Sequence, residues 1–197
     1  MKKAIVCALF ASLSLFVTDI YSQSKDVKEK DGKEKEKKSV TVTGITDGFG
    51  NLKWGTPLSE VKKGILGKLY YTDDRQIVIS RDGELEYKYG FFYDNTKPEG
   101  RFFYVSLGFP YLSIEEVKSR LESKFGKPTS ETVSKNQGAM AWDSEKTIII
   151  LWVDSYENKP FSRRITYLGK EIARELNEFQ KNVFNKTELD IINKLNP

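Results

Sequence analysis

The sequence predicts an α+β fold built on an antiparallel sheet of about six to eight strands, with helices packed on one face. Two apolar stripes at helical spacing, near residues 58–66 and 114–125, are each followed by strand-like runs. The run Thr147–Val153 is apolar at nearly every position, as in a central strand covered on both sides. The segment Glu84–Tyr111 holds ten of the 25 aromatic residues and reads as two strands joined by a polar turn.

The N-terminal region is predicted to lie outside this fold. A basic start, an apolar run from Ala4 to Val17 and a small residue at Ser22 predict a secretory signal peptide over residues 1–22. The alternative is an uncleaved N-terminal anchor, although the run is short for a membrane span. Residues 23–39 are charged and lack apolar anchors, which predicts a disordered linker. A solvated helix with i,i+4 Glu–Lys pairs is the alternative. A single α+β domain over residues 40–197 follows.

Helices are predicted where caps precede apolar stripes. Thr56 and Pro57 read as an N-cap and a first helical residue, for a helix that ends near Gly67. Ser113 and Glu116 form a capping box, for a second helix that ends near Lys124. The C-terminal helices are predicted over Glu171–Lys181 and Thr187–Leu195, with Thr187 as the cap of the last one.

Strands occupy the spaces between these helices. An Asp73-Asp74 turn and an Asp82-Gly83 hairpin signal divide the first group of strands. Outside the aromatic segment, the predicted strands are Val40–Thr43 at an edge, Leu69–Thr72, Gln76–Ser80, Met140–Trp142, Thr147–Val153 and Arg164–Leu168. The chain therefore shows two rough repeats of a helix followed by an antiparallel meander.

Alternation assigns the aromatic segment two faces. Its core face is predicted to carry Leu85, Tyr87, Tyr89, Phe91 and Tyr93 on one strand, and Phe103, Val105, Leu107 and Phe109 on the other. Phe92, Phe102 and Tyr104 then lie on the opposite face. Either a helix covers these three residues, or they form a surface for a partner.

Residue types exclude several chemistries. The chain has no His, and its single Cys, Cys7, lies in the predicted signal peptide. A mature chain without either residue lacks disulfides, the commonest general base and the usual ligands of zinc, copper, haem and iron–sulfur clusters. No phosphate-binding loop, dinucleotide-binding or serine-hydrolase motif is present. We therefore expect no cofactor, no metal site and no catalytic residues.

The charge balance argues against a nucleic-acid partner. There are 32 Lys and Arg against 28 Asp and Glu, and part of the excess belongs to the linker. Nucleic-acid binding usually needs a basic field on the folded domain.

Carboxylates supply the one enzymatic alternative. Asp143, Asp154 and Glu157 lie near the ends of neighbouring predicted strands, and a carboxylate pair could serve a glycosidase. The simpler interpretation is that they are strand-end and turn residues. A glycan-binding protein that uses aromatic residues belongs to the same alternative.

Aromatic and arginine side chains are the candidates for protein recognition. Trp54 stands beside two glycines ahead of a helix and is a candidate surface contact, whereas Trp152 is predicted to be core. Arg163 and Arg164 either grip an anionic group or pair with Asp154 or Glu157 across a hairpin. The candidate interaction residues are Trp54, Phe92, Phe102, Tyr104, Phe161, Arg163 and Arg164.

Two resemblances add to this reading. The helix SEVKKGILGK with its strands (Leu58–Ser80), and its echo EEVKSRLESKFGKP with Trp142 (Ile114–Val153), resemble the helix-then-meander unit of the β-lactamase-inhibitor-like and outer-membrane assembly lipoprotein (SmpA/OmlA) group. Members of that group bind proteins and are not enzymes, which implies a binding function here. The chain lacks the lipid-bearing Cys of that group, so outer-membrane attachment is not implied.

The second resemblance concerns the general character of the sequence along most of the chain. The signal peptide ending in Tyr-Ser-Gln, the Lys/Glu linker and the runs FGNLKWG, YGFFY and FPYLS resemble small exported proteins of leptospiral spirochaetes. Some of those proteins coat the periplasmic flagellum as sheath or coiling proteins. The resemblance implies a flagellar sheath role, with flagellar filament proteins as partners.

These observations predict a non-enzymatic, disulfide-free exported protein that acts in protein interaction or structure. The periplasm is the expected location, and secretion or the cell surface remain open. The expected partner is another envelope or periplasmic protein, with no nucleic acid bound and no membrane span after signal cleavage.

Overall fold

A computed structural model of the protein describes residues 42 and 44–195. The predicted signal peptide, the predicted linker and most of the predicted strand Val40–Thr43 lie outside the described residues. The described residues all belong to the segment predicted to form the α+β domain.

Ten strands and three helices follow one another along the described residues. In chain order they are β1 Gly48–Phe49, β2 Leu52–Lys53, α1 Leu58–Gly64, β3 Lys68–Thr72, β4 Ile77–Asp82, β5 Leu85–Phe92, β6 Arg101–Ser113, α2 Ile114–Phe125, β7 Ser130–Ser134, β8 Gln137–Asp143, β9 Thr147–Tyr156, β10 Lys159–Gly169 and α3 Lys170–Leu195.

One eight-stranded antiparallel sheet holds all strands from β3 to β10, in the order β3-β4-β5-β6-β10-β9-β8-β7. Each half is a four-stranded meander, and the last strands of the two meanders, β6 and β10, pair antiparallel at the centre. Strands β1 and β2 form a separate two-stranded hairpin. A helix precedes each meander, so the predicted α+β class and the two helix-plus-meander repeats are confirmed.

Helix α1 packs on the first meander. Its buried residues Leu58 and Val61 join a core cluster with Val78, Tyr89 and Val105 of β4, β5 and β6. Deep burial of these apolar side chains is the main source of stability for a domain that has no Cys among its described residues.

Helix α2 packs on the second meander in the same way. Its stripe Ile114, Val117, Leu121 and Phe125 forms a second cluster with strands β8, β9 and β10. The backbone N–H of Glu116 donates to Ser113 Oγ at 3.3 Å, so the predicted cap is confirmed. The helix ends at Phe125, one residue beyond the predicted end.

The first helix is shorter than predicted. Pro57 has an extended ψ of 150° and is the N-cap, and the helix stops at Gly64 rather than near Gly67. The chain beyond Gly64 is held by the sheet, because the Leu66 N–H donates to the Tyr89 hydroxyl and the Leu66 carbonyl accepts from Ser80 Oγ.

The predicted break in the C-terminal helix is wrong. Helix α3 runs without interruption from Lys170 to Leu195. Thr187 lies inside it, where its hydroxyl donates to the Val183 carbonyl at 2.8 Å. A threonine that bonds to the preceding turn in this way does not need to start a new helix.

Strand β7 was not predicted because its sequence SETVS is polar. It is an edge strand that pairs with β8, and most of its side chains are exposed. Burial therefore imposes no apolar alternation on it, and periodicity alone cannot detect it.

A bulge corrects the predicted faces of the aromatic segment. Gly90 lies opposite Tyr104 but Phe91 lies opposite Phe102, which makes Phe103 an extra residue of β6. The extra residue reverses the alternation, so Phe102 points to the core face with Tyr89 and Phe91. The predicted placement of Phe102 opposite that face is wrong. Gly90 leaves room for the neighbouring ring, since a Cβ there would lie 2.9 Å from Tyr104 Cδ1.

This bulge predicts the relative cost of two substitutions. Phe102→Ala should lower the free energy of unfolding by about 3–5 kcal/mol, because its fully buried ring leaves a cavity in the core. Tyr104→Ala should cost less than about 2 kcal/mol, because Tyr104 is partly exposed. Urea denaturation of both variants measures the order. The reverse order would contradict the assigned faces.

A second prediction concerns Tyr167, which packs between the two core clusters. Burial, with a smaller contribution from Tyr87, raises the pKa of Tyr167 to about 12. The unfolded tyrosine ionises near pH 10, so stability is complete below pH 10 and falls as the pH rises towards 12. The full loss attributable to this group is about 3 kcal/mol and is reached only above pH 12, whereas at pH 11.5 the loss is about 2 kcal/mol.

Tyr167→Phe removes the ionisable group and should lose less stability than wild type between pH 8 and pH 11.5. Chemical denaturation at both pH values measures the difference. Equal losses in the two proteins would show that Tyr167 does not carry the effect.

Candidate functional site

The predicted interaction residues do not form one patch, and Trp54 acts as an internal anchor. Its Nε1 donates to Thr147 Oγ1 at 2.7 Å, and its ring centroid lies 4.9 Å from that of Phe102. Gly169 allows this packing, because a Cβ there would lie 2.7 Å from Trp54 Cγ. The indole therefore ties the segment before α1 to the central strands.

Phe92 and Phe102 are buried, with 5% and 0% of their surfaces exposed. Phe102 belongs to the core on the α1 side. The Phe92 ring lies 5.6 Å from that of Phe179 in α3. Of the two alternatives for Phe92, the described contacts favour cover by a helix. Tyr104 is partly buried.

An ion pair holds α3 beside Phe92. Both terminal nitrogens of the Arg101 guanidinium donate to the Glu175 carboxylate, and the guanidinium carbon lies 5.2 Å from the Phe92 ring. The hydrogen bond with Glu175 raises the pKa of Arg101. This cluster fixes the first turns of α3 against the ends of β5 and β6.

The remaining candidates come together at the other end of the central strands. Phe161, Arg163 and Arg164 lie on β10 next to Tyr111 of β6 and Trp152 of β9. We call these five residues the arginine–aromatic surface.

A second bulge gives this surface its shape. Phe161 lies opposite Asp154, but Ile165 lies opposite Leu151, so β10 has one residue more than β9 in this interval. The register with β6 shifts at the same place. Both arginines are exposed here. Bulges commonly redirect side chains at binding sites.

Two stacked pairs build the surface. The rings of Tyr111 and Phe161 are 4.2 Å apart and 18° from parallel. Phe161 is buried and Tyr111 is 56% exposed, so Phe161 supports a tyrosine that faces solvent. The Arg164 guanidinium carbon lies 4.6 Å from the Trp152 ring, and Trp152 Nε1 donates to Thr166 Oγ1 at 2.9 Å.

The two arginines differ in their partners. Arg163 Nε lies 3.6 Å from Asp154 Oδ2, which is the predicted pairing across the hairpin. Arg164 instead lies over the Trp152 indole, a cation–π contact that restricts its rotamers. The surface can offer a guanidinium to an anionic group beside an aromatic contact.

Of the three candidate carboxylates, Asp143 lies far from Asp154. Asp143 accepts from Lys170 Nζ at 2.6 Å and lies opposite Ile148, whereas Asp154 is six residues further along β9. That separation is roughly 20 Å along a strand. Glu157 lies in the β9–β10 turn with a φ of 49°. The two carboxylates of a glycosidase are roughly 5–9.5 Å apart, so Asp143 and Asp154 are too far apart to form such a pair.

Other features of the described residues were not predicted. A cleft of about 340 Å³ lies beside Trp54 and is lined by Asp47, Lys53, Trp54, Lys146, Gly169, Glu171 and Ile172. Lys146 Nζ donates to Asp47 Oδ2 at 2.9 Å at this cleft. Its lining comes from distant parts of the chain, so no local motif marks it. Among the described residues, no group of three or more potential metal ligands is found.

Tyr111 and Trp152 were also missed as members of a surface. Trp152, predicted to be core, is only partly buried. Strand β9 is apolar at nearly every position, and that pattern cannot tell which end of the strand is covered. Tyr111 lies in the run Pro110-Tyr111-Leu112, whose three residues are all exposed in the structure.

Comparison with protein-family models, curated proteins and solved structures finds no match to this chain. The two resemblances stated from sequence therefore stay predictions. No helix within residues 44–195 combines the length and apolar character needed to cross a membrane.

The geometry predicts that the arginine–aromatic surface contributes little to folding. Arg163→Ala and Arg164→Ala should each change the free energy of unfolding by less than about 1 kcal/mol, because both side chains are exposed. Thermal and urea denaturation measure the change. A loss of several kcal/mol would mean that these residues serve the fold rather than a surface.

Proposed function

We propose that this protein is a non-enzymatic, exported protein-interaction or structural component of the periplasm. Under the spirochaete resemblance, its most concrete form is a part of the periplasmic flagellar sheath. The observation that carries the proposal is the arginine–aromatic surface, where an exposed tyrosine and two exposed arginines are presented by the central strands of the sheet.

The composition of this surface supports protein recognition. Tyrosine, tryptophan and arginine dominate the energetically important residues of protein interfaces. Tyr111 and Arg164 are already ordered by stacking on Phe161 and Trp152, so binding would cost little side-chain entropy. The complementary partner segment carries a carboxylate for Arg164 and an apolar side chain for Tyr111.

Glycan binding is the second candidate, and the exposed Tyr111 ring is the observation that favours it. An aromatic face that is supported from behind by Phe161 is a suitable platform for a sugar ring. The enzymatic form of this alternative gains no support from the separation of Asp143 and Asp154.

Affinity capture from the protein's own cell envelope tests the proposal. Tagged wild type and the variants Arg164→Ala and Tyr111→Ala would each be used, with captured proteins identified by mass spectrometry. Wild type should enrich a defined set of envelope proteins, and each variant should reduce it by about tenfold or more. Flagellar filament proteins in that set would support the sheath role.

Arg120→Ala is the matched control. Arg120 is an exposed arginine on α2 that pairs with Glu116 and is not one of the five residues of the surface. It should capture as well as wild type. The proposal fails if all variants capture equally, or if wild type binds soluble envelope glycans that compete with every captured protein.

A further inference from the structure

The two edge strands of the sheet differ sharply in chemistry. Among the described strands, β3 pairs with β4 alone and is one edge of the eight-stranded sheet. Its residues Leu69, Tyr70 and Tyr71 are 52%, 62% and 50% exposed. Edge strands normally carry charged or polar residues, because their unpaired backbone groups invite pairing with another strand.

Strand β7, the opposite edge, follows that rule. It occupies the same place in the second repeat as β3 does in the first, yet its sequence is SETVS. Glu131 accepts from Lys118 of α2 at 3.2 Å, and Val133 packs against the core. The apolar character of β3 is therefore not a requirement of the repeat.

A bulge decides which β3 side chains share a face. Leu69 lies opposite Ser80 and Tyr71 lies opposite Ile79, so Tyr70 is an extra residue. Tyr70 contacts Arg81, whose guanidinium carbon lies 3.6 Å from the ring centroid. Arg81 and Ile79 share one face of β4, so Tyr70 and Tyr71 point to the same face. Leu69 then points to the other face.

We propose that β3 pairs antiparallel with β3 of a second copy of this chain, about a twofold axis perpendicular to the sheet. Such an axis keeps each side chain on its own face, so residues that pair across the interface must share a face. Because the bulge puts the adjacent residues Tyr70 and Tyr71 on the same face, one register satisfies this rule. In that register Tyr70 pairs with Tyr71 of the second copy, and Leu69 pairs with Thr72.

Charge complementarity supports the same register, because it places Lys68 opposite Asp73 of the second copy. Lys68 is exposed. The Asp73 carboxylate is held in place by backbone N–H groups of Arg75, Gln76 and Ile77, which donate to Oδ1 at 3.0, 2.8 and 2.8 Å. The twofold axis repeats the Lys68–Asp73 pair at both ends of the interface, which makes the edge self-complementary.

This interface uses the edge strand β3, whereas the arginine–aromatic surface lies on the central strands β6, β9 and β10. The two proposals therefore stand independently, and the dimer would leave that surface on each copy free to bind a partner. Two sheets joined in this way form one continuous sheet.

Sedimentation velocity over a concentration series tests the pairing. The chain should form a dimer at micromolar concentrations. Leu69→Lys and Tyr71→Lys should each weaken the dimer by about tenfold or more, because charge is placed in the paired strand. Thr132→Lys puts the same charge at an exposed position of the polar edge β7 and should leave the dimer unchanged.

Cysteine cross-linking tests the register in a chain carrying Cys7→Ser. The double variant Leu69→Cys, Thr72→Cys should give a covalent dimer on mild oxidation, because the two positions face each other across the interface. Each single variant should not, since equivalent positions are then about 10 Å apart along the strands. A disulfide needs Cα atoms within about 7 Å.

The outcomes are decisive in either direction. A wild-type chain that stays monomeric throughout the series would overturn the proposal, as would a dimer weakened by Thr132→Lys but not by the β3 variants. Cross-linking by a single variant would overturn the register. If Leu69→Lys fails to fold, the Tyr71→Lys variant still tests the dimer and the cross-linking pair still tests its register. Loss of the dimer with intact capture of envelope proteins would separate this proposal from the proposed function.

Discussion

The antiparallel pairing of β6 with β10 holds the two halves of this protein together. Each strand is the last of its meander, and a helix begins at the residue that follows it, Ile114 after β6 and Lys170 after β10. Tyr167 on β10 packs against both core clusters. Because no disulfide is available to the described residues, the two clusters must supply the stability, and this central pairing determines how they meet.

Bulges in β6 and β10 change which face of the sheet particular side chains occupy. The bulge in β6 places Phe102 in the core beside Trp54. The bulge in β10 accompanies the exposure of Arg163 and Arg164. In each case one extra residue changes the face on which the side chains beyond it lie.

The surfaces that result differ in kind. The arginine–aromatic surface combines charge with stacked rings and suits a partner that offers a carboxylate and an apolar group. The β3 edge offers backbone hydrogen bonds and a short apolar strand, which suits another β strand. If both proposals hold, the protein joins copies of itself at an edge and binds a partner on a face, which are the properties expected of a structural component.

The sequence by itself determined the α+β class, the two helix-plus-meander repeats and the cap at Ser113, because each depends on a local periodicity or on a capping side chain. It also identified Phe161, Arg163 and Arg164 as candidates, since aromatic and arginine residues are enriched at protein interfaces. Only the tertiary structure decided that Phe102 is core, that Trp152 supports Arg164, and that Asp143 and Asp154 lie far apart. Those outcomes depend on bulges and on which strands become neighbours. A bulge has no periodic pattern of its own in the sequence, so it could not be predicted from hydrophobic periodicity.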